Sequence, residues 1–248
     1  MATINLIIYI IVGGFIGVLI NYLADVLPLT RKFTMPVCPN CSALHSLRSY
    51  LISFKCQQCG KFPSKRSLIV TSLSIIISIL VALFPFGRLN FWFTVPLIVF
   101  LGLILVIDIE HRVVLIETSI AGLVLLFIYG VVLQGFVNTF IGGVSGFLIM
   151  LFIYYFGIFF SKILGKIRKQ KIDEVALGFG DVYVCGFLGF LTGWPFIIGT
   201  IVLAIITSGI FALLFVVIKL IRKEYQAFSA IPYTPFLILG AIAIFYVQ

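Results

Sequence analysis

Between Thr118 and Phe160 the chain carries no charged side chain, and between Val175 and Ile218 it carries only Asp181. Runs of this kind are long enough to cross a bilayer, for which a helix needs about 20 mostly apolar residues. Composition points the same way. Of the 248 residues, 62% are hydrophobic and 10% charged, with a mean hydropathy of +1.26. A soluble domain is nearer half apolar and a quarter charged. Too little polar surface remains to clothe a water-soluble globule, which excludes a soluble enzyme, a secreted disulfide scaffold and a disordered chain. The predicted fold class is all-α, a polytopic membrane protein forming one domain over residues 1–248.

Eight spans are expected, at 4–24, 67–87, 91–107, 114–134, 139–160, 181–193, 196–218 and 231–247. The two long uncharged runs are divided at Gln134-Gly135 with Asn138, and at Thr192-Gly193-Trp194-Pro195. The sixth span is short, so neighbours must shield it or it must begin at the interface. Residues 4–24 follow no basic n-region and precede no small-residue cleavage pattern, so they read as a retained helix and not a signal peptide. Gly13/Gly17, Gly142/Gly146 and Gly189/Gly193 are spaced for close helix packing.

The net charge of +9 does not point to nucleic acid, because most cations fall in short segments between apolar runs. Sixteen of the 17 Lys and Arg residues lie on one side of the eight spans, in 31–66, at Arg112, in 162–180 and in 219–223; Arg88 alone lies on the other. The positive-inside rule then puts those segments in the cytoplasm, against anionic lipid headgroups, and both termini outside.

Segment 31–66 carries Cys38-Pro39-Asn40-Cys41 and Cys56-Gln57-Gln58-Cys59, fourteen residues apart. Four thiolates in two such hooks suit tetrahedral Zn²⁺, and with no open position the site would be structural. Two disulfides or a redox pair are the alternatives, and a cytoplasmic orientation argues against disulfides. A metal would fold a loop too short to build its own core. His45 reads as a surface residue, and Cys185, inside a span, as a small buried hydrophobe.

Acids at membrane depth are expensive and need a reason. Asp25, Glu110 and Glu117 read as residues that cap or end helices near the interface. Asp108 and Asp181 differ. Asp108 closes the run Phe100–Ile107 and Asp181 opens the sixth span after Gly178-Phe179-Gly180, both at the cytoplasmic end. The glycines Gly178 and Gly180 would permit turns closed to other residues and let a substrate strand approach. Two neighbouring carboxylates do not both ionise cheaply, so one keeps its proton. That arrangement serves an aspartic protease, and it equally serves a proton-coupled secondary transporter.

Gly178-Phe179-Gly180-Asp181 matches the GxGD motif of intramembrane aspartyl proteases, and its setting from Ala176 to Pro195 resembles the type IV prepilin peptidase family. Other pieces agree in order: Gly13 to Pro28 with Asn21, the doubled CxxC, Ile107 to Arg112, and Ile231-Pro232-Tyr233-Thr234-Pro235-Phe236, which is similar to an IPFGPF stretch. The resemblance implies Asp108 and Asp181 as catalytic aspartates and Cys38, Cys41, Cys56 and Cys59 as zinc ligands. It implies cleavage of a basic leader from type IV prepilins or pseudopilins at the cytoplasmic face of a bacterial inner membrane. Many members then methylate the new N-terminus with S-adenosylmethionine. This chain departs from the pattern at Leu115 and Ile116, where Pro and Asp or Asn are usual. It departs again at Thr71, where many members carry Glu in the region associated with methyl transfer. The predicted activity is therefore leader peptidase first. The rivals are the transporter and a zinc-ribbon scaffold of a secretion assembly, and residue types alone leave the substrate pilin, the pilus-or-secretion context and the oligomeric state open.

Overall fold

A computed structural model describes residues 2–37, 41, 44, 58–60, 65–85, 89–168, 177–222 and 232–247. Eight helices are found among them: α1 (Ala2–Thr30), α2 (Lys65–Leu83), α3 (Phe91–His111), α4 (Ile116–Gln134), α5 (Phe136–Arg168), α6 (Phe179–Thr192), α7 (Phe196–Ile221) and α8 (Thr234–Val247). No strand is present among the described residues; one antiparallel bridge pairs Val37 with Leu44. The fold is all-helical and polytopic. Six helices are long and apolar enough to cross a bilayer, and α6 and α8 are shorter. Fourteen residues reach only about 21 Å at 1.5 Å per residue, against a hydrocarbon core of about 30 Å.

Several helices outrun their apolar windows. α1 continues through Pro28 to Thr30, α3 passes Asp108 to end at His111, and α5 runs to Arg168. Hydropathy marks where apolar surface stops, whereas the backbone ladder continues into the interface as long as its hydrogen bonds can form. The divisions of the two uncharged runs fall where they were expected, at Gly135 and at Gly193 to Pro195.

The chain forms two compact units, Met1–His111 and Arg112–Gln248. In the first, α1 packs on α2 and α3. The α1–α2 seam is made by small and polar residues. A Cβ at Gly13 would stand 2.7 Å from Ile75 Cα, and one at Gly17 would stand 2.6 Å from Thr71 Cα, so the backbones approach as only glycine allows. Opposite them Ser67, Ser74 and Ser78 are buried while Leu68, Ile69, Leu73, Ile76 and Leu80 face outward. This helix is inside out by the standard of a soluble protein, as suits a lipid solvent. Its polar groups find partners within the seam: Ser78 donates to Tyr9 O at 2.9 Å, and Asn21 Nδ2 donates to Ser67 O at 3.1 Å.

In the second unit α6 is the centre, contacted by α4, α5, α7 and α8. Val182, Val184, Cys185 and Leu188 are wholly buried, so neighbours shield most of this short helix, while Phe179 and Tyr183 in its first turns stay exposed. α5 and α6 run antiparallel, and a Cβ at Gly142 would meet Gly189 O and Gly193 Cα at 2.5 Å. The turns after α4 and α6 lock together. Gln134 Nε2 donates to Phe190 O (3.1 Å) and Leu191 O (3.2 Å), capping carbonyls at the end of α6, and Trp194 N donates to Asn138 O at 3.1 Å.

Candidate active site

In the first unit, Leu97, Leu101, Ile104 and Asp108 recur at helical spacing along the buried face of α3. The stripe that packs α3 inward therefore also carries Asp108 inward, and the residue is only 6% exposed. It lies in the last turn of the helix, where the backbone dipole is negative. Two residues on, Glu110 has turned outward and meets Arg66 at the start of α2: Arg66 Nη1 is 2.6 Å from Glu110 Oε2, and Arg66 Nη2 is 2.5 Å from Asp25 Oδ1. One guanidinium thus ties the end of α1, the start of α2 and the end of α3. Asp25 and Glu110, expected to cap or end helices, are its partners. By sequence Arg66 is one topology signal among the cations of 31–66; two acids at the same ends of two neighbouring spans are the sign that a cation joins them. Glu117 is exposed in the first turn of α4, where no side chain caps the helix.

In the second unit, Asp181 occupies the first turn of α6 and is 7% exposed. Its backbone N–H donates to Gly178 O at 3.1 Å, and its Oδ2 accepts from the Gly178 N–H at 3.1 Å. Its Oδ1 accepts from the hydroxyl of Thr234, the first residue of α8, at 2.9 Å. Both carboxylate oxygens are therefore held by donors at helix N-termini. In the sequence Thr234 is distinguished only as part of the Ile231–Phe236 stretch. A hydroxyl where the resembled pattern has glycine was the available signal.

The two glycines before Asp181 work differently from the expectation. Gly178 has φ −75° and ψ 145°, an extended conformation that any residue adopts, so it makes no glycine-only turn. What it contributes to Asp181 is its amide. Gly180 is helical, and its need is for space: a Cβ there would lie 2.7 Å from Val114 Cγ2 and 2.9 Å from Val114 Cβ. The segment leading into α4 presses against the start of α6 at this point. Leu115, standing where the resembled pattern has proline, has φ −74° and ψ 144°, an angle proline itself would impose, so the turn into α4 is made without it.

Of the four cysteines, Cys38 and Cys56 lie outside the described residues, as does His45. Cys41 is exposed and Cys59 half-buried. The Val37–Leu44 bridge brackets the first hook, and Gly60 immediately after the second has φ +66°. Among the described residues alone, no cluster of three metal-ligating side chains occurs.

Residues 95–213 match the model of the type IV leader peptidase family. The matched stretch includes both Asp108 and Asp181; it leaves out the cysteine segment and the Ile231–Phe236 stretch. No curated protein and no solved structure gives a significant match. A peptidase-like chain in a multi-pass helical protein is what the match and the fold together establish.

Proposed function

We propose, from the premise that residues 95–213 carry the type IV leader peptidase family's sequence, that this protein is an intramembrane aspartyl endopeptidase. Its substrate is a type IV prepilin or pseudopilin, whose basic leader it removes at the cytoplasmic face of a bacterial inner membrane. The observation that carries the reading is that Asp108 and Asp181 are each buried, and that both fall inside the family-matched stretch. Burial of an acid at membrane depth is costly and is retained where chemistry uses it.

The chemistry needs one carboxylate ionised and one protonated. The ionised partner takes a proton from water as the water oxygen adds to the scissile carbonyl carbon, and the protonated partner gives its proton to the carbonyl oxygen. The diol then collapses. One of its hydroxyl protons returns to the second aspartate, the C–N bond breaks, and the departing amine takes the proton held by the first. Both groups end as they began.

Cys38, Cys41, Cys56 and Cys59 would hold a structural Zn²⁺ that orders the cytoplasmic loop and takes no part in the proton transfers. The all-sulfur donor set, with the Val37–Leu44 bridge flanking one cysteine pair and the left-handed Gly60 following the other, supports that assignment. Methyl transfer from S-adenosylmethionine to the new N-terminus is the second step implied for many relatives. It is read out separately, by the mass of the mature pilin.

The test is a gel-shift cleavage assay in membranes with a co-expressed prepilin-like substrate. Wild type is expected to remove the leader, and Asp108→Asn and Asp181→Asn to leave it uncleaved at equal protein level, a loss of roughly a hundredfold or more. Cleavage that survives either substitution overturns the dyad. Gradient-dependent uptake by a protein inert on leaders would favour the transporter instead.

A further inference from the structure

We propose that Thr234 is a positioning residue: its hydroxyl, with the Gly178 amide, holds Asp181 as the water-activating member of the pair and leaves Asp108 as the proton donor. This rests on the peptidase reading above and assigns the two roles that reading leaves open.

The argument begins with what threonines do elsewhere in this chain. Thr71, Thr94, Thr192 and Thr207 each donate to a backbone carbonyl four residues back, in the same helix or at its lead-in. Thr234 is the first residue of α8, with no preceding helical turn to bond to; the α8 ladder starts from Tyr233 O, which accepts from Phe236 N and Leu237 N. Its hydroxyl crosses to α6 instead and donates to Asp181 Oδ1, in a site where Thr234 is fully buried. Gly178 N holds the other oxygen. Donors on both oxygens fix the plane of the carboxylate, and each oxygen keeps a further lone pair for water.

The same contacts bear on which aspartate activates water. Hydrogen-bond donors stabilise a carboxylate over a carboxylic acid. The first turns of α6 and α8 both present their positive ends to Asp181, whereas Asp108 lies in the last turn of α3, at its negative end. Asp181 thus sits at the N-terminal ends of two helices and Asp108 at the C-terminal end of one. Glycine in the resembled IPFGPF pattern could not supply the hydroxyl, so the grip belongs to this chain's own sequence.

Purified full-length protein in detergent, with a purified prepilin, tests the assignment. Thr234→Val keeps shape and removes the donor; it is expected to lower kcat roughly tenfold or more with KM within about twofold, and Thr234→Ser to restore it. Thr234→Ala serves in its place if the valine variant fails to accumulate in membranes. A Val or Ala variant that cleaves at the wild-type rate overturns the proposal while Asp181→Asn, if inert, keeps the peptidase reading. Loss that Ser does not rescue, or that falls on KM, also overturns it, since packing alone would then account for Thr234. Cleavage by Asp181→Asn overturns both.

Discussion

Arg66 and Glu110, one in the first turn of α2 and the other in the last turn of α3, meet at 2.6 Å while the same guanidinium reaches Asp25 on α1. A forked cation on two acids from two helices is a clamp that lysine cannot copy. The side chains are 21–33% exposed, so solvent screens much of the attraction. Arg66→Ala is expected to cost about 1–2 kcal/mol, and Arg66→Lys to recover only part. Thermal unfolding in detergent reads this out, and an Arg66→Ala melting curve superimposed on wild type would show that the clamp adds nothing.

The glycines of the GxGD motif should separate under mutation. Gly180→Ala drives a methyl into Val114 and is expected to destabilise by about 1–3 kcal/mol, the usual cost of overpacking. Val114→Ala added to it should recover part of the loss, because the 2.7 Å contact with Cγ2 disappears and the 2.9 Å contact with Cβ remains. Gly178→Ala should fold as stably as wild type, since φ is −75° and the nearest atom to its new Cβ is 3.5 Å away. Equal destabilisation by the two alanines would refute this division of labour.

Thr139 is fully buried in α5 and its Oγ1 has no hydrogen-bond partner among the described residues. A buried hydroxyl without a partner costs about 1–3 kcal/mol, and a methyl of the same shape does not. Thr139→Val is therefore expected to be neutral or stabilising, with a melting temperature at or above that of wild type. A drop of several degrees would mean that the hydroxyl is bonded in the membrane.

The cysteine loop predicts metal content. Elemental analysis of the purified protein should find about one zinc per chain, lost when Cys41 and Cys59 are both replaced by serine. Zinc retained by that double variant would assign the metal elsewhere.

Much of the fold was legible in the order of residues. Uncharged runs interrupted at Gln134-Gly135 and Thr192-Gly193 marked the helices, because a bilayer forces apolar surface outward and leaves turns where polar and glycine residues gather. The buried aspartates were legible for a related reason: an acid beside an apolar run at membrane depth must be accounted for. Less legible was where each helix stops, since backbone hydrogen bonding carries α3 a turn beyond Asp108.

The sequence by itself determined the class of protein, its helical segments and the two acids that stand out at membrane depth, all of which follow from hydropathy and residue type at a position. Tertiary structure alone decided which groups hold those acids. Thr234 reaches Asp181 over a sequence separation of 53, and Arg66 joins Asp25 and Glu110 over separations of 41 and 44. Side-chain partners are set by which helix ends pack together, and that depends on how small residues such as Gly13, Gly17 and Gly142 let backbones approach. No local pattern contains that choice; only the packed helices make it.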